Sequence, residues 1–151
     1  MKTTSLTLAI MSVLALTACS QADAPRVDAR VGAEMAGQAM GIKTKAVLIY
    51  ADWCGSCKVL DPKLKKAKEI GPMPGLEFIT LDYTDKNSAS FYAQAEAAGV
   101  GEAVEEHLNG TIKTGQLLLV DVDDKKVVGE VTKTFEPSEI ISALKDAIKV
   151  S

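Results

Sequence analysis

The chain has 151 residues, 25% of them charged, and a formal net charge of −3 at pH 7. That balance gives no reason to expect a nucleic-acid partner, and the one basic run, Lys63, Lys65, Lys66 and Lys68, reads as a solvated helix face. No internal repeat or low-complexity tract stands out, and the length suits one domain with its own core.

Met1 to Ala18 opens on Lys2, runs through the apolar stretch Leu6 to Leu16 and closes on small residues, as a secretory signal does. The stretch is too short for a comfortable membrane span. Leu16-Thr17-Ala18-Cys19 resembles the lipobox of bacterial lipoproteins, which implies cleavage before Cys19 and lipid on its sulfur and new N-terminus. The alternative is an ordinary cleaved signal followed by an incidental cysteine. By the same resemblance Ser20 points to the outer membrane rather than the inner, where an aspartate would favour retention. A lipid anchor with several acyl chains would hold the protein stably, since each buried CH₂ contributes about 0.8 kcal/mol. Residues 19–30 then form the lipidated N-terminus and a tether that is polar through Arg26 and contains Pro25, and residues 31–151 the folded domain.

Asp28 to Met40 reads as a helix with Val31, Met35 and Ala39 on one face, weakened by Gly32 and Gly37. Lys45 to Ala51 is a continuous apolar run that suits a central parallel strand. Cys54 to Ile70 follows as a helix with Val59, Leu60, Leu64 and Ala67 as its buried stripe, and Pro62 should kink it. Gly71 to Gly75 is a stiff turn, Leu76 to Leu81 a strand and Lys86 to Ala98 a helix. Gly99 and Gly101 interrupt it before a shorter helix carrying Val100, Val104 and Leu108. Gln116 to Val122 and Lys126 to Thr132 are strands joined by an Asp123-Asp124 turn, and so short a connection makes them antiparallel. Pro137 suits the first turn of a last helix, whose apolar face is Ile140, Ile141, Leu144 and Ile148. This order predicts an α/β fold, a mixed sheet with helices on both faces.

The chemistry concentrates in Trp53-Cys54-Gly55-Ser56-Cys57-Lys58, where a strand turns into a helix. Two cysteines three positions apart at such a junction bring both sulfurs within reach of one disulfide. The first sulfur sits over the helix's unpaired N–H groups, whose positive end stabilises a thiolate. A thiolate attacks disulfides, and the second cysteine can resolve the mixed disulfide that forms. A structural disulfide and half of a metal site are the alternatives to a redox pair. Lipid on Cys19 would leave Cys54 and Cys57 as the only free pair among the three cysteines.

Ala51 to Lys58, Pro62 five positions after the second cysteine, Leu117-Leu118-Leu119, the Asp123-Asp124 turn and the final helix together resemble the thioredoxin superfamily over residues 42–150. The resemblance implies a three-layer α/β/α fold with a central mixed sheet, ending in a β-hairpin and helix. It implies that Cys54 is the exposed nucleophile and Cys57 the buried resolving thiol. It also places Trp53 beside the site and lets partner polypeptides dock along the adjoining groove.

Three departures from the family pattern matter. Leu48 stands six residues before Cys54, where many thioredoxins carry a buried Asp that assists proton transfer. Gly55-Ser56 replaces Gly-Pro, so the redox potential is not inherited from a superfamily that spans about 150 mV. Gly115, preceded by Thr114, aligns with the family's cis-proline. A non-proline cis bond costs about 2.5–4 kcal/mol, so Thr114-Gly115 is expected to be trans. Without a proline ring, the pair is expected to be more open to a soft metal.

Lys58 could stabilise the Cys54 thiolate or simply be solvated, and Asp52 could simply end the strand. Asp82 and Tyr83 could line the groove or only make a turn. His107, the one histidine, reads as a surface residue, since no second histidine exists to join it in a metal site.

The expected function is disulfide exchange with disulfide-bearing or dithiol proteins of the bacterial cell envelope, by a periplasm-facing lipoprotein. Reduction is the expected direction, because the Trp-Cys-Gly-X-Cys-Lys context is closer to reducing thioredoxins than to strong oxidants. The dithiol then needs reductant supplied from the membrane. No separate cofactor and no resident metal are expected. The competing class is a binding protein, either a soft-metal (copper-type) carrier or a redox-inert lipoprotein that docks a partner.

Overall fold

A computed structural model describes residues 41–151 of the chain. The signal-like segment, Cys19, the tether and the helix expected over Asp28 to Met40 lie outside the described residues. Among the described residues, no helix is long and apolar enough to cross a membrane.

Four strands, β1 (Thr44–Tyr50), β2 (Leu76–Asp82), β3 (Gln116–Asp121) and β4 (Lys126–Thr132), form one mixed sheet in the order β2-β1-β3-β4. Strand β1 runs parallel to β2 from Thr44 opposite Leu76 to Tyr50 opposite Asp82. It runs antiparallel to β3, with Ile49 opposite Gln116, and β3 forms the expected antiparallel hairpin with β4. The helices are α1 (Gly55–Lys68), α2 (Ser88–Ala97), α3 (Gly101–Leu108) and α4 (Pro137–Val150).

Alternate residues of the two central strands feed two cores. Ala46, Leu48, Leu117 and Leu119 pack with Leu60, Leu64 and Ala67 of α1 and Ile140, Leu144 and Ala147 of α4. Val47, Ile49, Leu118 and Val120 pack with Phe91 and Ala95 of α2 and Ala103, Val104 and Leu108 of α3. This double burial is why β1 and β3 are apolar at successive positions rather than alternating. Each fully buried aliphatic side chain contributes about 1.5–3 kcal/mol. The result is the mixed sheet with helices on both faces expected from the element order, in the three-layer α/β/α arrangement that the resemblance implies.

Several boundaries differ from the sequence expectation. The helix expected from Lys86 begins at Ser88, because Lys86 takes a left-handed φ of 57° and the Asn87 side chain caps the helix by accepting the Ser90 N–H at 3.0 Å. Strand β1 stops at Tyr50, α1 stops at Lys68, and β3 stops at Asp121. Val59 is 45% exposed and does not belong to the buried stripe of α1, which is Cys57, Leu60, Leu64 and Ala67. Helix α1 runs without a break through Pro62.

Candidate active site

The redox-type motif lies where β1 gives way to α1. The Ala51 carbonyl accepts the Cys54 N–H at 3.1 Å, which turns the chain at the end of the strand. Cys54 is the N-cap of α1, in extended conformation, and its Sγ accepts the Cys57 N–H at 3.1 Å. No acidic residue occupies the first turn of α1, so nothing there offsets the positive end of the helix. Cys54 and Cys57 are paired as a disulfide, with Cα atoms 5.3 Å apart. Cys54 is 5% exposed and Cys57 1%, so the expectation of an exposed Cys54 is corrected: both cysteines are buried in the disulfide, in a small cluster with Ala51 against which Tyr50 packs. The Cys57 sulfur lies 3.8 Å from the Ile49 carbonyl oxygen.

The loop between β2 and α2 is fastened to this motif. Thr84 Oγ1 accepts the Asp52 N–H at 3.1 Å, and the Thr84 carbonyl accepts the Trp53 indole N–H at 3.0 Å. Asp82 holds the same loop by accepting the Thr84 N–H at 2.8 Å. Tyr83 meets the Trp53 ring edge-on at 6.5 Å, and Lys86 Nζ stands 4.9 Å from the centre of that ring. Trp53 keeps 47% of its surface exposed, presenting an apolar face anchored by its polar tip. Asp82 therefore has a turn role, while Tyr83 supports Trp53.

Gly115 faces the pair from the far side. Its φ is +84°, and its N–H donates to the Ile49 carbonyl at 2.8 Å. A Cβ there would collide with the Ser56 Cβ and stand 3.1 Å from Cys54 Sγ and 3.3 Å from the Cys57 nitrogen. The position aligned with the family's cis-proline therefore does face Cys54, and with no side chain at Gly115 the space a Cβ would fill beside that sulfur is left open. Thr114 beside it is half-buried. Ser56 is half-buried, whereas Gly55, Lys58 and Pro62 are exposed. Leu48 is buried in the apolar core beneath α1 and brings no proton acceptor to Cys57.

Sequence reasoning missed Tyr50, Thr84, Lys86 and the Ile49 carbonyl. Thr84 lies 32 positions from Asp52 and 31 from Trp53, and the main-chain carbonyl of Ile49 carries no residue-type signal at all. His107 lies away from the motif, with Nε2 3.5 Å from Glu130 Oε2 across α3 and β4. Among the described residues, no group of three or more His, Cys, Asp or Glu side chains could hold a metal ion.

Residues 38–98 match the family model described as Thioredoxin. No curated protein matches the chain. Among solved structures, Trxlp from Edwardsiella tarda EIB202 is 18% identical over 75% of this chain and 91% of its own, with a TM-score of 0.45. StoA from Bacillus subtilis is 10% identical over 68% of this chain and 82% of its own, with a TM-score of 0.46. Thioredoxin from Trypanosoma brucei brucei is 18% identical over 87% of this chain and 99% of its own, also with a TM-score of 0.46. With the family match over β1, α1, β2 and α2, the sheet order and the paired cysteines capping α1, the described domain has a thioredoxin-like α/β fold bearing the cysteine pair of a thiol–disulfide oxidoreductase.

Proposed function

We propose that the protein is a membrane-tethered thiol–disulfide oxidoreductase of the bacterial cell envelope that reduces disulfides in partner proteins. The observation that carries the chemistry is Cys54 Sγ at the N-terminus of α1, accepting the Cys57 N–H while Cys57 lies buried behind it. In the reduced pair the Cys54 thiolate attacks a partner disulfide and forms a mixed disulfide. Cys57 then attacks the Cys54 sulfur, the partner leaves as a dithiol, and the Cys54–Cys57 disulfide forms. The active pair needs no separate cofactor, and a dithiol donor at the membrane restores the reduced state. Cys54, Cys57 and their Gly55-Ser56 spacer make up the reacting segment, with Trp53 as the exposed apolar contact for a partner.

The tether rests on the lipobox-like Leu16-Thr17-Ala18-Cys19. Cys19→Ser should leave the protein unlipidated, and either released from membranes or uncleaved. A mature N-terminus elsewhere, without acyl mass, overturns the lipoprotein reading.

The function is tested with Cys57→Ser in the native envelope. The variant should accumulate mixed disulfides through Cys54 that dissolve on reduction, and Cys54→Ser/Cys57→Ser should trap none. Failure to trap partners, together with no reduction of a protein disulfide by the wild type, overturns the oxidoreductase reading. Tight metal binding by such an inactive wild type would instead identify a carrier.

A further inference from the structure

Two groups of the site converge on one main-chain oxygen. The Ile49 carbonyl accepts the Gly115 N–H at 2.8 Å and lies 3.8 Å from Cys57 Sγ. A disulfide sulfur has no proton to donate, but a reduced Cys57 has one, and the carbonyl has two lone pairs. Gly115 makes its contact from a φ of +84°, so close to the pair that a Cβ would reach 3.1 Å from Cys54 Sγ. A proline at this position would have neither the N–H nor the required φ.

We propose that Gly115 is a positioning residue for the redox pair: its N–H on the Ile49 carbonyl and its bare α-carbon against Cys54 hold that carbonyl as the acceptor that keeps Cys57 a thiol while Cys54 becomes the thiolate. Two electrons from a partner dithiol break the Cys54–Cys57 bond, and the partner's two thiols release two protons as they form a disulfide. One proton goes to Cys57, whose S–H is shared with the Ile49 oxygen. The other goes to water, leaving Cys54 as a thiolate that accepts the Cys57 N–H. The main chain thereby assigns different protonation states to the two sulfurs, in a site where Leu48 supplies no carboxylate.

This inference rests on reading Cys54–Cys57 as a redox pair, so its test is kept separate from turnover. Amide hydrogen exchange is followed by NMR on the wild-type chain, oxidised and then reduced with dithiothreitol. Two donors sharing one oxygen weaken each other, so reduction should speed exchange at Gly115 roughly two- to tenfold relative to Leu118 in the adjoining strand β3. An unchanged or smaller Gly115-to-Leu118 ratio overturns the proposal, and this arm needs no variant to fold.

The second arm compares Gly115→Ala, Ser56→Gly and Ser56→Gly/Gly115→Ala. Removing the Ser56 Cβ relieves the worst collision but leaves the new methyl against Cys54 Sγ and the Cys57 nitrogen. Gly115→Ala should slow Cys54 alkylation at pH 7 roughly two- to tenfold and shift its pH profile upward. The double variant should recover only part of the stability, since an alanine at φ +84° stays strained, and should not recover reactivity. A double variant whose alkylation profile matches Ser56→Gly would show that Gly115 only clears space for Ser56, which overturns the proposal. A wild type that shows the expected exchange ratio yet reduces no protein disulfide overturns the redox reading alone.

Discussion

Cys54 and Cys57 stand three positions apart and are both buried, yet their sulfurs meet different surroundings, one over the N–H groups that begin α1 and the other near a main-chain carbonyl. The first environment favours a thiolate and the second a thiol. In the reduced protein, iodoacetamide should therefore modify Cys54 first, with a midpoint below the free-cysteine value of about 8.5. Peptide mapping after limited alkylation checks this, and earlier modification of Cys57 reverses the assigned roles. Gly115 is equally specific. With φ at +84° and its N–H engaged, Gly115→Pro should lower stability by at least about 2 kcal/mol in urea unfolding, since the ring cannot adopt that φ and the Ile49 carbonyl loses a donor. A variant as stable as the wild type would mean that this loop can rebuild itself around a proline.

The β3–β4 hairpin is organised by a buried carboxylate at the end of β3. Asp121 accepts the N–H groups of Asp123 and Asp124 at 2.8 and 2.9 Å. The Asp124 N–H is the main reason its pKa falls below the usual carboxylate value, with help from Ser151, Asp123 and Lys43 against the opposing cost of burial. A depressed folded pKa makes this contribution fully present above the unfolded value of about 3.9 and progressively lost as pH falls through the lower folded one. Asp121→Asn should accordingly cost roughly 1–2 kcal/mol at pH 7, with the gap to wild type narrowing below about pH 4. Chemical denaturation across pH measures it, and a pH-independent gap would place the effect in packing. Asp123-Asp124 was legible as a turn because both residue types favour one. The carboxylate that builds the turn was missed, because Asp121 falls inside the strand expected over Gln116 to Val122 and only the structure ends that strand at Asp121. At the other loop, Lys86 and Asn87 delayed α2 by a backbone reversal and a cap that periodicity does not encode.

The two cores lie on opposite faces of one sheet and share β1 and β3, so neither can be lost without exposing the other's floor. Unfolding should be a single cooperative transition, with Trp53 fluorescence and far-UV circular dichroism giving coincident curves. Leu118→Ala, fully buried on the α2 and α3 face, should cost about 2–5 kcal/mol and move both curves together. Separated curves would show that the faces unfold independently. The sequence by itself determined the order of the elements, the double-faced burial of β1 and β3 and the cysteine pair at a strand-to-helix junction. These are properties of neighbouring residues: periodicity, turn chemistry and a spacing of three are all local. Only the tertiary structure decided that Thr84 fastens Trp53, that Val59 faces solvent, and that Gly115 faces Cys54 with its N–H on the Ile49 carbonyl. Each of these depends on which distant segment the sheet brings alongside and on a backbone angle or main-chain acceptor, and residue identity alone specifies neither.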